Sequence, residues 1–111
     1  MSIFGQNSVQ GSSFKISVHM EPIDGYHMED PNLDWYIKVF IDGNNSKYII
    51  IPKSECIKET VDSYIVPINT SKLGAGRYMI TLTVKIPDLD FPEGVRVDIK
   101  TSSTGVTIDA K

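Results

Sequence analysis

Apolar and polar residues alternate along most of the chain. Between Phe14 and Met20 the apolar positions Phe14, Ile16, Val18 and Met20 are separated by Lys15, Ser17 and His19, the two-residue repeat of a strand with one buried face. The same repeat runs through Leu33, Trp35, Ile37, Val39 and Ile41. There Asp34 and Lys38 share the opposite face with Tyr36 and Phe40, which predicts a central strand covered in part on both sides. Asp42-Gly43-Asn44-Asn45 is rich in residues that tolerate positive φ, and Lys47-Tyr48-Ile49-Ile50-Ile51 resumes an extended run, so the pair reads as a hairpin. Pro52 ends that run, because proline donates no ladder hydrogen bond. Ser54 to Lys58 predicts one helical turn capped by Ser54.

Ser63 to Ile68 predicts a further strand, and Pro67 assigns it to an edge or a bulge. A corner with two glycines, Thr70 to Gly76, leads into the clearest strand of the chain, where Tyr78, Ile80, Leu82, Val84 and Ile86 alternate with Met79, Thr81, Thr83 and Lys85. Pro87 to Gly94 is a loop bracketed by prolines. Val95, Val97 and Ile99 then alternate with Arg96, Asp98 and Lys100, Thr101 to Gly105 interrupts, and Val106 and Ile108 resume. About seven strands with no helix beyond a turn suit an all-β, two-layer antiparallel sandwich. A closed barrel is the alternative, since periodicity does not report closure. Residues 1–12 read as an N-terminal arm ahead of a domain over 13–111, with Ile3, Phe4 and Val9 as apolar anchors expected to contact a neighbouring molecule; packing of the arm on its own domain is the alternative.

Composition narrows the class. The 111 residues, 41% apolar and 23% charged, are one globular domain's worth. No apolar run reaches the roughly 18 residues of a membrane span. A net charge of −3 opposes a phosphate backbone, so nucleic acid is not an expected partner. Met1 to Gln6 lacks the basic start and apolar stretch of a secretory signal, so export is not expected, and Asn44-Asn45-Ser46 and Asn69-Thr70-Ser71 are not read as glycosylated. The acidity is local: residues 21–34 hold Glu21, Asp24, Glu29, Asp30 and Asp34 and no Lys or Arg, which leaves +2 for the remainder. Within that loop Asp24, Tyr26, His27 and Met28 are the expected partner contacts.

Candidate chemistry is sparse. The single cysteine, Cys56, excludes an intrachain disulfide and a cysteine-built zinc site, and Glu55 beside it raises a thiol pKa, so it reads as a packing residue. His19 and His27 lie eight apart without a ligand spacing, even allowing Asp24 or Glu29 as companions. Asp88-Leu89-Asp90 lacks the later ligands of a calcium loop, and Gly74-Ala75-Gly76 precedes a strand, not a helix that would receive phosphate. Tyr26, Trp35, Tyr36, Tyr48 and Tyr64 are spread over several elements and read as packing before stacking. No cofactor, metal or catalytic residue is expected, and the chain is read as a non-enzyme.

Leu73-Gly74-Ala75-Gly76-Arg77-Tyr78, followed by Ile80, Leu82 and Val84, resembles the corner entering a late strand of bacterial and phage immunoglobulin-like domains. Gly76 permits the bend, Leu73 plugs the core and the Tyr78 hydroxyl can reach a backbone group, with Trp35 as the central core aromatic. Ile86-Pro87-Asp88-Leu89-Asp90-Phe91-Pro92-Glu93-Gly94-Val95-Arg96-Val97-Asp98 and Thr104-Gly105-Val106-Thr107-Ile108, with Asp34-Trp35-Tyr36-Ile37-Lys38-Val39-Phe40, are similar to short all-β virion proteins of tailed phages of gut Bacteroidales, crAss-like phages included. The resemblance covers about residues 14–109 and implies an immunoglobulin-like sandwich. It also implies a structural role in the virion, made in the bacterial host cytoplasm: a capsid auxiliary or decoration protein, or a head-fibre anchor. The implied partners are the major capsid protein and fibre or tail components. A tail-fibre or baseplate module binding a receptor or carbohydrate is the alternative. The acidic 21–34 loop is longer than such domains carry.

Overall fold

A computed structural model describes residues 2–4, 7–9, 13–41, 44–69, 74–101 and 106–109, with the backbone alone at 2–4, 7–9, 13–14, 44–47 and 109. The strands are β1 (Ser2–Phe4), β2 (Asn7–Val9), β3 (Ser13–His19), β4 (Asp34–Ile41), β5 (Asn44–Pro52), β6 (Ile57–Thr60), β7 (Ser63–Asn69), β8 (Gly76–Pro87), β9 (Val95–Thr101) and β10 (Val106–Asp109). One sheet has the order β1-β3-β7-β6, and the other runs β2-β10-β8-β4-β5 with β9 also on β8. This is the immunoglobulin-like sandwich, its first strand divided between the sheets. The two layers arise because alternating strands each have one face to bury.

That face forms one core. Ile16 and Val18 from β3 and Val66 and Ile68 from β7 meet Trp35, Ile37 and Val39 from β4 and Tyr78 to Ile86 from β8, all buried on alternate positions. The Trp35 and Tyr64 rings meet edge to face between the sheets, centroids 4.9 Å apart and planes at 82°. Trp35 Nε1 donates to the Met28 carbonyl at 3.0 Å, so its one polar atom is satisfied inside the core. Tyr78 Oη donates to the Gly74 carbonyl at 3.0 Å, tying the corner to the start of β8. Gly76 has φ +148°, a conformation that side chains disfavour, although a Cβ there would meet only Tyr78 at 4.0 Å. The backbone, not space, calls for glycine. Leu73 lies outside the described residues.

Two expectations are corrected. Ser2–Phe4 pairs antiparallel with Ser17–His19, and Asn7–Val9 pairs parallel with Thr107–Asp109, so these residues extend both sheets and the domain begins before residue 13. The ladders beside β3 and β10 offer backbone partners that composition does not reveal. The side chains of Ile3, Phe4 and Val9 lie outside what is described. Second, the helical turn is a 3-10 turn over Lys53–Glu55 with Pro52 at its cap and no side-chain cap, and Ile57–Thr60 is a strand on β7. Proline fixes the entry backbone, and the free edge of β7 outcompetes one turn of helix.

The facing of β9 is set by its register on β8. Leu82, Val84 and Ile86 point into the core, and opposite them stand Lys100, Asp98 and Arg96. Opposed residues share a face, so the charged members of β9 face inward and Val95, Val97 and Ile99 face out. Between Thr101↔Thr81 and Val106↔Tyr78 the last strand carries two more residues than its partner. An even excess preserves parity, so Val106 and Ile108 face in while the odd-numbered apolar residues of β9 do not.

Candidate functional site: a sheet face and a loop end

Residues 20–33, the 61–62 turn and the 88–94 loop lie at one end of the sandwich. Asp62 clamps the first two together, and Arg96 ties the 88–94 loop to Asp24. The Oδ1 of Asp62 accepts from Met28 N at 3.2 Å, its Oδ2 lies 2.9 Å from His27 Nδ1, and its carbonyl accepts from Met20 N at 3.0 Å. Ile23-Asp24-Gly25-Tyr26 closes with reciprocal backbone bonds of 2.8 and 3.0 Å, and Asp24 and Gly25 have φ of 51° and 83°. Two consecutive positive φ values are the signature of a type I′ turn, which Asp-Gly favours.

The acidic loop recruits cations from the rest of the chain. Lys53 Nζ donates to the carbonyls of Asp30 at 2.9 Å and Leu33 at 2.8 Å. Burial lowers its pKa, against the opposing pull of Asp34, Asp30 and Glu29. Lys58 pairs with Glu29 at 2.8 Å, and Arg96 reaches Asp24 at 2.7 Å and Asp88 at 3.3 Å. Much of the local charge is therefore answered by basic residues from three other segments.

The expected contact residues part company here. Asp24 is exposed and paired with Arg96, His27 is exposed and held by Asp62, and Tyr26 packs on the core edge. Met28 is fully buried, so its expected partner contact is corrected. The Asp62 bond to its backbone holds the residue in place, the Met28 carbonyl accepts from Trp35 Nε1, and its side chain joins the core.

The other candidate chemistry is likewise structural. Cys56 has its thiol pushed up to about 11, by burial first and Glu55 second, and Sγ contacts the Pro52 carbonyl at 3.5 Å. A protonated thiol at neutral pH is a poor nucleophile. His19 bridges Ser63 Oγ (3.0 Å) and Glu21 (3.3 Å) on the outer face of the smaller sheet. An open concavity of about 560 Å³ beside Lys53, Cys56, Lys58 and Tyr64 borders the acidic loop. Among the described residues no group of three or more His, Cys, Asp or Glu is placed to hold a metal.

The larger sheet presents a different surface. Its outer face runs in cross-strand rows: Pro52, Tyr36, Thr83 and Ile99; Ile50, Lys38, Thr81 and Thr101; Tyr48, Phe40 and Met79. Ile99 is 65% exposed, Val97 56%, and Tyr48 and Ile50 49% each. Short threonines on β8 between long residues on β4 and β9 make a trough of about 270 Å³, lined by Tyr36, Lys38, Phe40, Thr81, Thr83 and Ile99. Lys38 Nζ lies 4.6 Å from the Tyr48 ring centre and 5.5 Å from that of Phe40, holding a cation beside the trough. At the adjoining tip Leu89 is 97% exposed and Phe91 43%. Exposed apolar side chains are thus grouped around the polar Lys38, Thr81 and Thr83 on one face, which makes it a candidate interaction surface.

Sequence reasoning placed Tyr36 and Phe40 on this side but expected partial cover over it, and left the facing of β9 open. One signal was available. The apolar residues of the last strand are odd-numbered through Ile99 and even-numbered from Val106, so a single unbroken strand cannot bury both sets. No protein-family model matches the chain, and no curated protein matches it.

Proposed function

We propose that this chain is a structural protein of a tailed-phage virion, a capsid auxiliary or decoration protein or a head-fibre anchor, which binds other virion proteins and catalyses nothing. The observation that supports a binding role is the exposed apolar face of the larger sheet, where β9 turns Val97 and Ile99 outward. The virion setting follows from the resemblance in the 86–98 and 104–108 segments. Docking through this face and the adjoining loop end replaces docking through a free arm, because Ser2–Phe4 and Asn7–Val9 are engaged in the sheets. A rigid sandwich suits the task, since a preordered surface loses little conformational entropy on binding.

The test is incorporation into particles. Ile99→Asp places a charge on the face while leaving the core untouched, and Lys15→Asp does the same on the smaller sheet. With both variants folded by circular dichroism, Ile99→Asp is lost from purified particles and Lys15→Asp is retained. Normal incorporation of Ile99→Asp refutes the assignment of the face.

A further inference from the structure

The 88–94 loop and the outer face of the larger sheet complement each other. Asp88 N donates to the Gly94 carbonyl at 2.9 Å, Gly94 N to the Phe91 carbonyl at 2.9 Å, Phe91 N to the Asp88 carbonyl at 3.2 Å, and Asp90 N to Asp88 Oδ1 at 3.0 Å. The tip is thus ordered by its own backbone while Leu89 projects almost wholly into solvent. Asp88, Asp90 and Glu93 flank the two apolar residues along the loop, and no basic residue lies between Pro87 and Gly94; Asp88 is paired with Arg96, so the exposed Asp90 and Glu93 carry the collar. The knob is apolar with an acidic collar.

The trough on the sheet has the opposite character. Its floor is Thr81 and Thr83, its walls are Tyr36, Phe40 and Ile99, and Lys38 stands at its side with Lys85 two residues further along β8 from Thr83. Asp34, opposite Lys85, is the acidic residue of these central rows. A volume of about 270 Å³ falls just below the range of small-molecule sites and suits inserted side chains. The tip cannot fold back into the trough of its own molecule, because β8 and β9 are paired as far as Pro87 and Val95. Face-to-face pairing would instead oppose two lysine-bearing surfaces.

We propose that the Leu89–Phe91 tip of one molecule docks in the trough of a second copy, its acidic collar against Lys38 and Lys85. The inference rests on the reading of the sheet face as a protein-docking surface and names its occupant. The contact is head to face, so each molecule offers both halves and association continues beyond a dimer, as a closed ring or an open row. A protein that lines a repeating particle has a use for such an assembly.

Sedimentation velocity of the purified full chain over a concentration series tests this. The wild type associates beyond a dimer, and the association weakens as salt rises. Leu89→Ser spoils the tip alone and Ile99→Asp the trough alone, and each lowers self-affinity at least tenfold. Mixed, the two variants regain one contact, between the intact trough of the first and the intact tip of the second, and form a pair that does not grow. A wild type that stays monomeric up to about 1 mM overturns the proposal. So does a dimer abolished by Ile99→Asp and untouched by Leu89→Ser, which signifies face-to-face pairing, or a mixture that fails to pair. If the wild type is monomeric while Ile99→Asp is still lost from particles, self-docking fails and the docking role of the face stands. Normal incorporation of Ile99→Asp removes that role as well.

Discussion

β9 and β10 run along the same side of β8 in the larger sheet, β9 at its edge and β10 between β8 and β2, yet they are held by different physics. β10 buries Val106 and Ile108 against the core, next to the Tyr78 corner. β9 turns its apolar residues out and sets Arg96, Asp98 and Lys100 along the inner edge, where Arg96 meets Asp24 and Asp88. A strand pattern therefore does not tell which face is buried. In β10 the apolar residues stabilise the fold, and in β9 they are available for binding.

The contrast predicts a graded series. Ile108→Asp has the largest effect, because it removes a buried aliphatic side chain and leaves a charge without a partner. It should cost at least about 4 kcal/mol in urea unfolding, enough to leave a marginal domain largely unfolded. Tyr78→Phe keeps the ring and removes the bond to Gly74, for a loss of about 1 kcal/mol by the same measurement. Arg96→Ala lowers the melting temperature slightly at low salt and less in high salt, because its ion pair with exposed Asp24 is screened while that with Asp88 is only partly open to solvent. Ile99→Asp changes stability least, within about 0.5 kcal/mol, although it lies on the proposed docking face. Equal losses for Ile99→Asp and Ile108→Asp would erase the distinction between the two strands.

The thiol of Cys56 offers a pH readout at the loop end. Its raised pKa means that folding favours the protonated form, so this contribution to stability is fully present below the ordinary thiol value of 9.0 and is lost as pH rises through about 11. Alkylation by iodoacetamide should therefore accelerate with pH well beyond 9 in the folded protein and level off earlier once it is unfolded in urea.

The legibility of the fold differed by element. β3, β4, β7 and β8 stand where period-two alternation predicted them, because a strand with one buried face writes that face into its sequence. β1, β2 and β6 were missed, since strands of three or four residues span too few repeats for a period to register. At the loop end the contribution of Asp62 was invisible: a single acidic residue in a turn has no pattern, and its partners Met20, His27 and Met28 lie far from it in the chain.

Alternation, turn residues and the absence of a helical period were enough by themselves to set an all-β chain of about seven strands and to put Trp35 and Tyr78 on buried faces, because these depend on neighbours along the chain; that the strands form an open sandwich and not a closed barrel was decided by tertiary pairing. Tertiary structure alone decided that the acidic loop meets Lys53, Lys58 and Arg96, that the first residues join both sheets, and that Val97 and Ile99 face solvent. Each of these depends on register and on contacts between distant segments, and a shift of one residue in pairing would reverse the face of a whole strand while leaving its pattern unchanged.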